Sequence, residues 1–308
     1  MKQKLRFDFK NKFKFKLIGF LLFINLLFFP LLKKITKKFE NIKKSNFEES
    51  IEYEQDDLTI VTAYYKIKSK HPFSVYLSRL KNFVKLNHSI VFFASKSFIN
   101  NIKELRPKNL LNKTKFIEME IEDFYSYKKF GKEFNESFFI DIEKRRHSVP
   151  LYLIWAEKCF FLKKAILNNY FNSKCFFWID AGFFINSNLM NNYINWPSTK
   201  KCYENPKVLI NSIRKVPDLE KKNLLDLNFQ TYEQFQKKTN VAGNAFGGQP
   251  KYLMKFIYYY YKTIKLFIRH KFFIGKDQNL FAFVVFSHPE IVNLVHSGKW
   301  YYFIKYLS

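Results

Sequence analysis

Short, unbroken apolar runs alternate along this chain with longer stretches in which apolar residues return every three or four positions. LTIVTAYY (58–65) and SIVFFAS (89–95) are runs of the first kind. Both are rich in β-branched and aromatic residues and close on polar ones, which predicts buried parallel strands. Between them Val75, Leu77, Leu80, Phe83, Val84 and Leu86 recur at about helical spacing, predicting a helix within 72–88. Strand, helix and strand within about 40 residues form the repeating unit of an α/β fold.

The next stretch, 101–149, is richer in charged and aromatic residues and reads as a variable insertion or lid. PLYLIWAEKCFFLKKAIL (150–167) starts on a proline and alternates apolar positions with lysines, as a helix does. KCFFWID (174–180) predicts a strand ending in Asp180, with Gly182 just beyond. Open α/β sheets place their ligands at such carboxyl ends. VLINSI (208–213) follows, then VAGNAFGG (241–248), a small, uncharged string read as a loop. The chain closes with a helix through KYLMKFIYYYYKTIKLFIRH (251–270), then GKDQNLFAFVVF (275–286) and VNLVHSGKWYYF (292–303).

The amino terminus has a different pattern. LIGFLLFINLLFFPLL (17–32) is continuously apolar apart from Asn25 and Pro30 and is bracketed by lysines. It reads as one transmembrane anchor at the short end of the usual range, which flanking lysine stems extend by snorkelling. A cleaved signal peptide is the rival reading, but no small-residue cleavage site precedes the lysine cluster at 33–38. Residues 1–16 form a basic tail with seven Lys or Arg against Asp8, and 33–44 carry six Lys against Glu40. This bias narrowly favours a cytoplasmic amino terminus, placing the bulk of the chain on the far side. Residues 33–57 read as a charged stem, and 58–308 as the folded domain.

The 308 residues carry 53 Lys and Arg against 26 Asp and Glu, a formal charge of +27. Nucleic-acid binding does not follow. Of the cations 46 are Lys and 7 are Arg, and Phe, Asn, Ile and Tyr are also abundant, which is the signature of A/T-rich codons. Lysine also lacks the planar fork used in phosphate and base recognition. With 47% hydrophobic and 20% aromatic residues, the chain buries enough apolar surface to fold. Cys159, Cys175 and Cys202 show no CxxC pair or zinc spacing and read as buried thiols or one disulfide.

The same codon bias disfavours glycine, present only eight times, so its positions are informative. Six of the eight fall in FWIDAG, VAGNAFGG, GKDQN and HSGKW. Such clustering suggests close ligand approach or positive φ, with ordinary turns as the plainer alternative. Asp180, followed by two small residues, suits a hard divalent cation or a ribose hydroxyl. Gly247 and Gly248 would let backbone N–H groups approach a sugar. Asp277 and Gln278 precede an apolar helix, where Asp277 either meets an acceptor or caps the helix. His296 is a candidate metal ligand and Lys299 a candidate phosphate cation.

In order and spacing these motifs resemble a glycosyltransferase of the GT-A type. The nearest resemblance is to the HtrL/YibB-like (WlaTC-like) family, through TIVTAYY, PLYLIWAEK, FWIDAG, AGNAFGG and GKDQN, over about 58–290. HSGKW is also similar to the HxxGxxKPW ending of glycogenin-like transferases, with shorter spacing and no proline. The resemblance implies a GT-A-like, Rossmann-like α/β domain with a mostly parallel sheet. Together with the anchor expected at 17–32, it implies a membrane-anchored, hexosyltransferase-like glycosyltransferase that takes a nucleotide-sugar, most simply a UDP-sugar, and a glycan, lipid or protein acceptor. Thr62, Ala63 and Tyr64 would then border the nucleotide base. Asp180, with His296, would hold Mn2+ or Mg2+ against the diphosphate, beside Gly182 and Lys299. Asp277 would act as base near the acceptor, and Gln278 would position the transferred sugar. A non-catalytic sugar-binding or scaffold protein of the same fold is the alternative.

Overall fold

The computed structural model describes residues 57–214 and 241–308. The basic tail, the expected anchor at 17–32 and all but the last residue of the expected stem lie outside the described residues. Among the described residues no helix is long and apolar enough to cross a membrane.

Both leading apolar runs are strands, β1 (Leu58–Tyr64) and β2 (Ser89–Ala94), paired in parallel from Thr59 opposite Ser89. The helix between them, α1 (Phe73–Phe83), stops short of the expected 88. The cause is Arg106, a buried residue. Its guanidinium donates to the carbonyls of Val84, Leu86 and His88 at 2.7, 2.7 and 2.9 Å, so these groups are satisfied outside a helix. Burial pulls the Arg106 guanidinium down to about 10.

The stretch 101–149 is built into the fold rather than appended to it. After α2 (Lys96–Leu105), β3 (Thr114–Glu118) pairs in parallel with β2. Next, α3 (Tyr125–Phe139) lends Phe130 and Phe134 to the core. The proline-initiated helix is α4 (Val149–Asn168), followed by β4 (Cys175–Ile179), α5 (Ser187–Asn192), α6 (Lys200–Glu204) and β5 (Val208–Ser212). The remaining described elements are β6 (Val241–Gly248), α7 (Pro250–Arg269), α8 (Asp277–Ser287), β7 (Val292–His296) and α9 (Phe303–Tyr306).

One seven-stranded sheet results, in the order β3-β2-β1-β4-β6-β5-β7. Every pairing is parallel except those of β6, which runs antiparallel to β4 and β5. The period of two divides the strands between two cores. Val61, Val91, Phe176, Trp178 and Phe246 pack with α4, α7 and α8, while Ile60, Ile90, Phe177, Ile179 and Ala245 pack on the opposite face. VAGNAFGG is thus a strand and not a loop. Its small residues fit a crowded position: a Cβ at Gly247 would lie 2.3 Å from the Phe177 ring.

Cys175 and Cys202 form a disulfide across 27 residues, joining β4 to α6, and Cys159 is a buried free thiol. Cross-links of this span typically contribute about 2–4 kcal/mol by restricting the unfolded chain. Cys202→Ser is expected to lower the urea midpoint correspondingly without changing the native near-UV spectrum. A midpoint equal to wild type in non-reducing buffer would show that the two thiols are not joined.

Candidate functional site

The chain lays β2 and β3 to one side of β1 and then crosses to place β4 on the other side. That reversal makes a crevice at the carboxyl ends of β1 and β4, where open α/β sheets bind ligands. A cavity of about 250 Å3 occupies it, slightly below the ~300–1,000 Å3 of most small-molecule sites, so it suits part of a ligand. Ala63 and Tyr64 line it from β1, and Asp180, Gly182 and Phe183 from the turn after β4. Trp155 and Lys158 come from α4, Asn244 from β6 and Tyr301 from the carboxyl-terminal segment. Arg79, its guanidinium over the Tyr76 ring, completes one wall.

At the base of the cavity lies an ionic cluster. The Lys158 ammonium is 3.0 Å from Asp180 Oδ1 and 2.8 Å from Asp277 Oδ2, and it donates to the Gly243 carbonyl at 2.9 Å. The side chains of Lys158 and Asp277 are 4% and 5% exposed and that of Asp180 is 35% exposed, so Asp180 is the carboxylate that reaches the cavity. Trp178 Nε1 donates to Asp180 Oδ1 at 2.7 Å, and the Asp180 N–H donates to the Asn244 carbonyl at 2.8 Å. Gly243 is required here, because a Cβ would stand 2.6 Å from Asp277 Oδ2.

Two carboxylates share one ammonium, leaving a surplus negative charge. Burial pushes the Asp180 carboxyl up, the charge of Asp277 pushes it the same way, and Lys158 opposes both. Burial alone would pull the Lys158 ammonium down, but the two carboxylates more than offset this and hold it above its ordinary value. Tyr64 is pushed up to about 12 by burial and then by Tyr76, so its hydroxyl stays protonated. Asn244 Oδ1 is buried without a hydrogen-bond partner among the described residues and offers an acceptor to a ligand.

A model of the HtrL/YibB family, described as bacterial protein of unknown function, matches residues 56–308. The chain belongs to that family. Comparison with curated proteins gives no match. Among solved structures, 4-diphosphocytidyl-2C-methyl-D-erythritol synthase from Anaerococcus prevotii is similar at 11% identity, over 79% of this chain and 90% of that one. Its TM-score is 0.30, too low to carry an argument.

In this HtrL/YibB protein the expected residues separate into groups. Ala63, Tyr64, Asp180 and Gly182 line the cavity, whereas Thr62 is fully buried beneath it. Asp277 stands behind Lys158 and spends its Oδ1 on the Gln278 N–H at 2.8 Å, so neither residue lines the cavity. Gly247 and Gly248 pair with Phe177 and Phe176, towards the opposite edge of the sheet, because β6 runs antiparallel. The glycine-rich motif therefore meets the site through Gly243 and Asn244. His296 is exposed at the end of β7, three strands from β4 and so about 14 Å away at ~4.8 Å per strand. Neither His296 nor Lys299 lines the cavity, although Tyr301 does and packs on Phe183 at 5.7 Å.

Sequence reasoning missed Lys158, Trp155, Arg79, Asn244 and Tyr301. Lys158 carried a signal, being one of two adjacent charges, with Glu157, on an otherwise apolar helix face; both are buried. A larger apolar groove of about 780 Å3, between α3, α4 and α7, holds none of the expected site residues.

Proposed function

We propose that this HtrL/YibB protein is a membrane-anchored glycosyltransferase that moves a sugar from a nucleotide-sugar donor, a UDP-sugar, to a glycan, lipid or protein acceptor. The observation that carries the reading is the Lys158–Asp180–Asp277 cluster under the cavity at the sheet's switch point. Burying Lys158 and Asp277 is costly, and a carboxyl in a cleft perturbed by burial and by a charge partner, as Asp180 is, marks a functional-site candidate. The resemblance to GT-A transferases through FWIDAG and GKDQN points to the same residues.

Asp180 has raised proton affinity and faces the cavity, so it takes the acceptor hydroxyl's proton. Asp277 is a positioning residue that holds Lys158, which in turn fixes Asp180. Arg79 has the planar fork suited to a diphosphate, and the Asn244 Oδ1 accepts from a sugar hydroxyl. Tyr64 and Trp155 supply aromatic walls for base or sugar.

The residues do not fit the Mn2+ or Mg2+ that the resemblance implies. Asp277 spends both oxygens on Lys158 and the Gln278 N–H, His296 is remote, and Asp180, whose Oδ1 meets Lys158 and Trp178, is the single carboxylate that faces the cavity. Among the described residues no three His, Cys, Asp or Glu side chains come together, and the one carboxylate on the cavity is already paired with Lys158. The fixed positive charge beside Asp180 is Lys158. The Cys175–Cys202 disulfide supports a domain in an oxidising compartment, in line with a cytoplasmic amino terminus.

A nucleotide-sugar panel tests this reading by thermal shift on the full-length chain, with Mn2+ and with EDTA. Stabilisation by UDP and one UDP-sugar is expected in both conditions. No stabilisation by any nucleoside diphosphate overturns the donor class, and stabilisation only with Mn2+ overturns the role given to Lys158.

A further inference from the structure

The carboxyl end of α3 and the segment that joins it to α4 present an apolar tip beside a basic triplet. Phe139, Ile140 and Ile142 are 77%, 51% and 77% exposed, and Lys144, Arg145 and Arg146 follow directly, all exposed. None of the three cations pairs with a carboxylate among the described residues.

These side chains are held outward. Asp141, between the apolar residues, is buried, and its carboxylate accepts from the Glu143 N–H and His147 Nδ1, each at 2.7 Å, and from the Tyr152 hydroxyl. Burial pushes the Asp141 carboxyl up, but the Tyr152 hydroxyl, the Glu143 N–H and His147 more than offset this and leave it below its ordinary value. Lys276 pairs with Glu143, and the Ile274 N–H donates to Ser137 Oγ at 3.0 Å. Residue 141 is pinned inward, while 140 and 142 on either side of it are exposed.

We propose that residues 139–146 are a second membrane contact, which inserts Phe139, Ile140 and Ile142 into the interface of an anionic bilayer while Lys144, Arg145 and Arg146 engage lipid phosphates. Charge complementarity selects this occupant, because three adjacent cations beside an apolar tip match a headgroup layer over acyl chains. A protein partner is a poorer match, since three side chains fall well short of the ~800 Å2 per partner of a stable interface. The segment adjoins the cavity through His147. His147 packs edge-on to Trp155, which lines the cavity, at 5.2 Å. Docking therefore sets the cavity mouth beside the bilayer. The contact does not depend on glycosyl transfer, and it is separate from the anchor expected at 17–32.

The test uses the full-length chain in vesicles, with a nitrobenzoxadiazole fluorophore on Ile142→Cys and, as control, on Asn168→Cys. Asn168 is exposed at the other end of α4, about 28 Å away by helix rise. The native cysteines are a disulfide and a buried thiol, so labelling reports the introduced site. In vesicles of phosphatidylglycerol and phosphatidylcholine with brominated chains, we expect a blue shift and strong quenching at 142 and none at 168. Lys144→Glu/Arg145→Glu/Arg146→Glu should return quenching at 142 to the control level. Quenching at 142 no greater than at 168 overturns the proposal, as does a blue shift that depends on protein concentration and not on brominated lipid, which would mean self-association. Equal quenching in pure phosphatidylcholine overturns the role of the basic triplet.

Discussion

Lys158→Met is expected to destabilise the domain by about 3–5 kcal/mol, because it leaves Asp277 buried, and Asp180 at the cavity floor, without their shared counter-ion. At roughly 2–4 °C per kcal/mol for a domain of this size, the melting temperature should fall by about 10 °C. Transfer activity should be lost with it. The deficit should depend on pH. Burial already raises the Asp180 carboxyl pKa, and without the ammonium that opposes it the carboxyl rises further. A carboxyl whose folded pKa exceeds its unfolded value adds stability when protonated, and that contribution is lost as pH rises through the folded value. The difference between variant and wild type should therefore shrink as pH is lowered toward about 4, the unfolded carboxyl value. Adding Asp277→Asn should restore most of the stability but none of the activity. Wild-type melting in the single variant at neutral pH would refute the ion-paired cluster.

Asp180→Asn is expected to cut turnover by about 10^2–10^4-fold, the usual contribution of a positioned base, with little change in donor KM. The fold should be unaffected, since the amide oxygen still accepts from Trp178 Nε1 and Lys158 keeps Asp277. Asp277→Asn should behave differently, costing stability and losing activity only as far as Lys158 and Asp180 shift. The comparison separates the two carboxylates, which sequence reading had assigned in the opposite sense, with Asp180 on metal and Asp277 as base. If Asp277→Asn lost as much turnover with unchanged melting, Asp277 would be the base after all.

Much of this was legible locally. The strand starting at Leu58, the strand ending before Asp180 and the helix behind Pro150 each announce themselves by period and by a boundary residue. Such features depend on neighbours within a few positions. FWIDAG was correctly placed at a strand's carboxyl end, where Asp180 and Gly182 line the cavity. VAGNAFGG was misread because its glycines look like a flexible loop. They are instead a strand squeezed against β4, where the Phe177 ring leaves no room for a Cβ at Gly247.

The sequence by itself determined an α/β chain of apolar strands and amphipathic helices, with an acidic residue at a strand end and membership of the HtrL/YibB family. Only the tertiary structure decided that β6 inserts antiparallel between β4 and β5, that Gly243 and not Gly247 meets the site, and that Cys175 pairs with Cys202. It also decided that Lys158, from a helix that looked merely amphipathic, sits between Asp180 and Asp277. Lys158 meets the Gly243 carbonyl across 85 residues of chain. Side-chain period encodes which face is buried, but which charge will be found there depends on how distant elements close over one another, and that is fixed only when the sheet is assembled.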